Sequence, residues 1–431
     1  MARWSCDFRY LLVLVVLAFI YTQVKLFATE SEYVDALETA VEAENRCRNK
    51  MRLLIDEISM NQENIVVLEE KVKLQQKECD HLRALVQKLE KKGVKSLTRE
   101  QQVPVAAVVI MACNRADYLE RTIKSILKYH SSVASKFPVF VSQDGSNSDV
   151  REKAMTYGQL TYMQHLDYKP VHTERPGELI AYYKIARHYK WALDQLFYQH
   201  NFNRVIILED DMEISPDFFD YFEAGAGLLD KDKSIMAISS WNDNGQKQFV
   251  HDPYMLYRSD FFPGLGWMLA KPTWDELSPK LKENHKGRQF IRPEVCRTYN
   301  FGEHGSSLGQ FFEQYLKPIK LNDVKVNWKS MNLSYLMQDE YVKHFADMVK
   351  SAKAIYGNDL ILKTNNVDGD VRIDYKDQSH FENIARQFGI FEEWKDGVPR
   401  GAYKGVVVFR YQRLKRVFLV GPDSFQQLRI P

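Results

Sequence analysis

Glu209, Asp210 and Asp211 follow directly on the aliphatic run 205–208. Three adjacent carboxylates at the end of an element repel one another, and a divalent cation that also carries phosphate oxygens of a substrate neutralises them. Oxygen donors of this kind select a hard ion such as Mn²⁺ or Mg²⁺. A solvated acidic turn is the plainer alternative, and the flanks argue against it. Asp217, Phe218, Phe219, Asp220, Tyr221 and Phe222 recur at helical spacing, which puts the triplet at a strand-to-helix corner. Four aliphatic residues in a row predict a strand covered on both faces, and the carboxyl end of such a strand is where open α/β sheets take their ligands. Other common chemistries lack their motifs: there is no G-x-G-x-x-G, P-loop or H-E-x-x-H, and no C-x-x-C spacing for zinc.

The elements that must hold the triplet are legible around it. A β-branched run at 103–111 predicts the opening strand, and 115–130 predicts a helix with Tyr118, Leu119, Ile123, Ile126 and Leu127 on one face. A second strand at 137–142 ends in Gln143-Asp144-Gly145, and a long amphipathic helix at 182–198 leads into the strand that carries the triplet. Strand, helix, strand, helix, strand is a doubly wound α/β pattern with a mostly parallel sheet. Its strand ends carry polar residues suited to a nucleotide: Arg115, Asp144 and 209–211. The last hundred residues read differently. Runs at 405–411 and 416–420 look like a β-pair, preceded by a strand at 371–375 and a helix near 378–388, so a smaller α+β domain is expected over 321–431 after an α/β domain over 102–320.

The remaining segments bound the setting. A net charge of +2, with basic and acidic residues interspersed, gives no footprint for nucleic acid. Arg3 and Arg9 precede an apolar run at 10–27, Glu30 and Glu32 follow it, and no small-residue cleavage site ends it. These features predict a cytosolic tail at 1–9 and a retained type II signal anchor at 10–27, with the rest of the chain in the lumen. The span is short, which suits the thinner membranes of the early secretory pathway. Residues 28–101 contain no Pro and one Gly, Gly93, with apolar residues spaced in threes, fours and sevens. A helical stem with a loose coiled-coil seam and a solvated single helix fit that spacing equally, and the first would allow stem-mediated oligomers. Five cysteines cannot all pair, and Asn332-Leu-Ser334 is the one N-x-S/T sequon.

Several longer motifs add to this. The strand and triplet at 204–211, Arg175-Pro-Gly-Glu-Leu179, the helix 182–192, Ser240-Trp-Asn-Asp-Asn-Gly245, Asp260-Phe-Phe-Pro-Gly-Leu-Gly-Trp267 and Arg292-Pro-Glu294 resemble N-acetylglucosaminyltransferase I, particularly its plant form, along the whole chain. The resemblance implies a GT-A fold, Mn²⁺, UDP-N-acetylglucosamine as donor and the Golgi membrane as location. It implies inverting transfer of N-acetylglucosamine in β-1,2 linkage to the α-1,3 arm mannose of a five-mannose N-glycan, the step that initiates complex and hybrid glycans. Carried over position by position, Asp211 matches the manganese ligand, Asp210 a nucleotide-sugar contact, Arg115 and Asp144 the uridine-side contacts, and His188 a further donor contact. Ser307 matches the serine of a loop that closes over the donor.

The sequence departs from the family's pattern in two places. Gly145 stands where animal members carry a cysteine that bridges to the one equivalent to Cys113. Between Lys280 and Leu281 the chain lacks a tryptophan-rich segment of about a dozen residues with an Asp-Asp-Trp core, which in the family supplies the catalytic base. The catalytic residue is therefore unassigned, and Asp275, Glu276 and Glu283 are the carboxylates nearest the gap. An active transferase is one reading. The other is a catalytically impaired isoform, or a truncated gene model, that keeps fold and donor binding and acts as a binding partner.

Overall fold

The computed structural model describes residues 103–430 apart from 172, 174–178, 280–285, 305–308, 310, 358, 396 and 413, together with 12–27, 39–52 and isolated positions as far as 77. It divides into two compact units, Met1–Glu100 and Gln101–Pro431. In the first, 12–27 and 39–52 are helical. Leu12, Val13, Leu14, Phe19 and Ile20 are exposed, as are Val41, Met51, Leu54, Ile58, Ile65 and Val72 of the expected stem seam. No helix among the described residues is long and apolar enough to cross a membrane. The first two residues of the expected anchor, Tyr10 and Leu11, lie outside the described residues, as do Val34, Leu37, Leu68, Leu82, Leu85 and Leu89 of the stem pattern.

The second unit opens with β1 (Ala107–Ala112), α1 (Ala116–His130), β2 (Val139–Asp144), α2 (Ser148–Met155), β3 (Leu160–His165), α3 (Ile180–Asp194) and β4 (Arg204–Glu209). It continues through β5 (Met212–Ile214), α4 (Phe218–Lys231), β6 (Ile235–Ser239), β7 (Leu256–Ser259), β8 (Trp267–Ala270), α5 (Lys271–Leu277), β9 (Gln289–Pro293) and β10 (Thr298–Asn300). Strands β1 to β4 and β6 to β9 form one eight-stranded sheet in the order β3-β2-β1-β4-β8-β6-β9-β7. Strands β3, β2, β1 and β4 are parallel, β6 and β9 run with them, and β8 and β7 run against. The sheet is therefore mostly parallel, as the element order predicts.

Side-chain alternation along the central strands explains why their sequences are apolar throughout. Val108, Ile110, Ile206 and Leu208 join a core with Leu119, Ile123 and Ile126 of α1 and Phe218 and Phe222 of α4. Ala107, Val109, Val205 and Ile207 face the other way, into a core with Ala192 and Leu193 of α3 and with Leu196 and Phe197 just beyond it. The helix expected at 182–198 ends at Asp194 and is continued by a five-residue π turn, Gln195–Gln199.

The corner after the triplet is not the direct strand-to-helix turn expected. Strand β5 intervenes and pairs antiparallel with β10, and only then does α4 begin. Asp217, just before α4, is fully buried and accepts from Arg297 at 3.2 Å, Trp328 Nε1 at 2.8 Å, Asn322 Nδ2 at 2.8 Å and the Ser215 hydroxyl at 2.7 Å. Its charge is spent on structure, which leaves Glu209, Asp210 and Asp211 as the acidic groups at the end of β4.

The unit closes with α6 (Gln338–Ser351), β11 (Lys353–Ile355), α7 (Leu360–Asn365), β12 (Val371–Asp374), α8 (Gln378–Phe388), the short hairpin β13 (Trp394–Lys395) and β14 (Val398–Pro399), β15 (Val406–Tyr411), β16 (Lys415–Val420) and α9 (Ser424–Gln427). A second sheet runs β11-β12-β16-β15, in which the expected β-pair, β15 and β16, is antiparallel. Helix α8 packs Phe381, Ile384 and Phe388 into a core with Val407, Phe409 and Leu419.

Candidate functional site

Parallel pairing brings the carboxyl ends of β1 to β4 to one edge of the sheet: Met111 lies opposite both Ser142 and Glu209, and Asp144 opposite His165. The chain leaves β1 and enters α1 through Arg115, which reaches the end of β4. Arg115 Nη2 donates to Asp211 Oδ2 at 3.0 Å and to Asp210 Oδ1, and Nη1 donates to the His304 carbonyl at 2.7 Å. The other Asp211 oxygen accepts from Asn300 Nδ2 at 2.9 Å. Strand β10 supplies that contact because Asn300 pairs with Met212, and the Phe301 amide donates to the Asp211 carbonyl at 2.9 Å. The Thr122 hydroxyl fastens α1 to the same turn, donating to the Asp210 carbonyl at 2.8 Å and accepting from the Met212 amide at 3.0 Å. Gly302 completes the wall. A Cβ at that position would collide with the Asp211 carboxylate, so the backbone approach requires glycine.

One guanidinium serves three buried or half-buried carboxylates. Burial, reinforced by the Asp211 charge, raises Glu209 to about 7, against the Tyr189 hydroxyl that donates to it at 2.9 Å. Burial also raises Asp210 to about 6, with Arg115 opposing. Both carboxyls thus bind protons more readily than free ones do, and a nearby cation reverses that. Among the described residues no group of three or more His, Cys, Asp or Glu is arranged to hold a metal ion. What the edge offers is a hard carboxylate donor, Asp211, whose two oxygens are hydrogen-bonded to Asn300 and Arg115, in a negatively charged setting. Those residues fit a divalent ion that keeps waters and takes phosphate oxygens from its substrate, and do not form an all-protein cage.

The second half of the edge is built on β2 and β3. Gly145 follows Asp144 with φ 86°, a left-handed turn that favours glycine, and its amide donates to the His165 carbonyl at 2.8 Å. His165 Nδ1 meets Asp144 Oδ1 at 2.7 Å, and the His165 ring stacks on His188 with centroids 5.5 Å apart. His188 Nε2 lies 2.8 Å from the Ser142 hydroxyl.

Burial pushes the His188 imidazole down to about 4, against the attraction of Asp144. A folded pKa below the ordinary 6.5 gives stability that is present above that value and lost as pH falls through 4. The loss is on the order of 3 kcal/mol. Denaturant unfolding at pH 7.5, 5.5 and 4.5 should therefore show a shallower acid decline for His188→Gln than for the unaltered chain. Equal declines would contradict the assignment.

Of the residues picked out from the sequence, Arg115, Asp210 and Asp211 are in direct contact, and Asp144 and His188 are joined through His165 on the same edge. Ser307 lies outside the described residues, three positions beyond the His304 carbonyl that Arg115 holds. Asn300, Gly302, Thr122, Tyr189 and His165 join the site without a local signal in the sequence. Tyr189 and Thr122 sat on predicted helices, but nothing in their spacing marked them. Cys113 is exposed and free, and Cys296 is buried, its thiol pushed up to about 12 by that burial.

Comparison with known proteins gives the family. The GNT-I family model matches residues 13–431. The alpha-1,3-mannosyl-glycoprotein 2-beta-N-acetylglucosaminyltransferase of Arabidopsis thaliana is 67% identical over 441 aligned positions, which cover 100% of this chain and 99% of that protein. Among solved structures, the mannosyltransferase PcManGT from Pyrobaculum calidifontis, in complex with GDP-Man and Mn²⁺, aligns with 41% of this chain and 47% of its own at 19% identity and a TM-score of 0.27. The S. aureus TarS fragment in complex with UDP-GlcNAc aligns with 57% and 67% at 13% identity and a TM-score of 0.29. Structural likeness this slight carries no argument. The family match and the identity along the full length do: the chain belongs to the GNT-I family of glycosyltransferases.

Proposed function

We propose that the chain binds UDP-N-acetylglucosamine at the carboxyl edge of a GT-A sheet and is built to transfer N-acetylglucosamine, with inversion, in β-1,2 linkage to the α-1,3 arm mannose of a five-mannose N-glycan. The observation that carries this reading is the cluster of Arg115, Asp210, Asp211 and Asn300 beyond β4, in a chain 67% identical to a transferase of that name. Asp211 would hold Mn²⁺, which when bound supplies Lewis-acid stabilisation of the departing diphosphate. Arg115 orients both aspartates and places a fixed positive charge where phosphates approach. Asp144 and His188 serve the nucleobase side, and Glu209, fixed by Tyr189, shapes the floor behind the aspartates. Titration of the full chain with UDP-N-acetylglucosamine, UDP-galactose and GDP-mannose should show binding of the first at least about tenfold tighter than the others. Equal affinity for all three would remove the donor assignment.

The same reading makes the chain a single-pass type II protein of the Golgi membrane, anchored by 10–27 with its catalytic unit in the lumen. A fusion of residues 1–101 to a fluorescent reporter should collect in the Golgi, because the basic flank and the short apolar run both lie in that segment. Fluorescence confined to the endoplasmic reticulum or the cell surface would refute it.

A second reading concerns activity. The Arabidopsis alignment spans 441 positions against the 431 residues of this chain, so about ten positions of the relative face no residue here. That difference supports loss of the base-bearing segment expected between Lys280 and Leu281, a stretch outside the described residues. It favours a chain that binds donor and transfers poorly, acting instead as a binding partner.

A further inference from the structure

We propose that His165 is a positioning residue for nucleobase recognition, one that locks the Asp144 carboxylate so that its second oxygen accepts from an N–H of the donor's base. The inference rests on the donor-site reading above and goes beyond it, since His165 lies on a strand that no motif marked.

The geometry is specific. His165 is buried at the end of β3, directly opposite Asp144 in the parallel ladder, and its Nδ1 lies 2.7 Å from Asp144 Oδ1. An ionised carboxylate only accepts, so Nδ1 carries the proton and the imidazole tautomer is set. The ring is itself fixed, stacked on His188 at an interplanar angle of 10° and tilted against Trp191 with centroids 5.2 Å apart. Three residues from three elements, β2, β3 and α3, thus form one rigid unit. Among the described residues Asp144 Oδ2 has no hydrogen-bond partner, and the side chain keeps 22% of its exposure. That oxygen is the acceptor left for a ligand.

The chemistry of the base follows. Uracil presents an imide N3–H to such an oxygen, whereas cytosine presents a bare N3 whose lone pair repels it. A carboxylate held in one orientation therefore separates the two, while one free to rotate can turn to the exocyclic amine of cytosine and separates them less. His165 acts through Asp144 and touches no reacting atom, so its effect belongs in base selectivity and donor affinity, not in the rate of transfer.

The test uses the full chain in detergent with Mn²⁺, titrated separately with UDP and with CDP. His165→Phe keeps a stacked ring and removes only the hydrogen bond. It should weaken UDP binding about tenfold or more, in line with loss of a hydrogen bond to a charged group, and change CDP binding by less than about threefold. His165→Asn, which can present an amide N–H near the same place, should recover most of the preference for UDP. If His165→Phe does not fold, His165→Ala carries the same expectations. Parallel weakening of UDP and CDP would mean a structural role only and overturn the proposal, as would UDP affinity within about twofold of the unaltered chain. Failure of the unaltered chain to bind UDP at all would overturn this inference together with the donor-site reading, whereas intact binding with no effect of His165 removes the inference alone.

Discussion

Transfer of N-acetylglucosamine to a five-mannose glycan by the 431-residue chain should run about a hundred- to ten-thousand-fold below that of a chain with the family's base-bearing segment reinserted after Lys280. An inverting displacement needs a carboxylate within hydrogen-bond reach of the attacking hydroxyl, and the structure shows why Asp275 and Glu276 do not stand in. Strand β8 runs antiparallel to β4, with Ala270 opposite Arg204, so α5 begins at the amino edge of the sheet. The Lys271 amide is tied there to the Asn203 carbonyl at 2.9 Å. Asp211 lies seven residues along the chain from Arg204, roughly 20 Å away at the rise of a strand. Glu276 is also engaged by Lys286 at 2.6 Å and Arg288 at 3.4 Å. Asp275 and Glu276 are thereby set aside as substitutes, and Glu283 lies outside the described residues.

The carboxyl-terminal half of α3 is covered by α5, through Trp274 Nε1 to Asp194 at 2.9 Å and the Ser278 hydroxyl with Lys190 at 3.0 Å. The amino-terminal half, towards the site, leaves Ile180, Tyr182 and Ile185 exposed. Single-turnover assays of the two chains at matched donor saturation should show the rate difference with donor affinity little changed. Near-equal turnover would contradict the absence of a base.

How much of this could be read from the sequence depended on whether the signal was local. Strand β4 and its acidic end were legible because four buried aliphatic residues precede three carboxylates. Helix α8 ran over the expected residues because its ends are chemically marked. Asp377 caps it by accepting from the His380 amide, and Gly389 ends it in a left-handed conformation at φ 81°. Strand β3 left no such trace. Only His165 in it is buried, so no alternation announces a strand and nothing in the sequence singles out His165. Asn300 and Gly302 reach Asp211 from ninety residues away through the β5–β10 pair, a contact set by tertiary pairing and invisible to local pattern. The triplet's need for positive charge was legible. That Arg115 meets part of it within the protein was not, since Arg115 was expected only at the uridine side.

Asp211→Ala should have the other large effect. It removes the one carboxylate that is braced by Asn300, packed on Gly302 and paired with Arg115 at once. A metal ion polarising phosphoryl oxygen contributes several kcal/mol, so losing the ligand proposed for it should cost metal-supported donor affinity by about a hundredfold or more. Asp210 cannot replace it, because it belongs to the same Arg115 pair and has no Asn300 behind it. Calorimetric titration of UDP-N-acetylglucosamine into the unaltered chain and into Asp211→Ala, each with Mn²⁺ and with chelator, tests the account most directly. Tight binding only by the unaltered chain with Mn²⁺, and weak binding of similar strength in the other three titrations, is the predicted result. Binding by the unaltered chain that ignores Mn²⁺ and equals that of Asp211→Ala would contradict it.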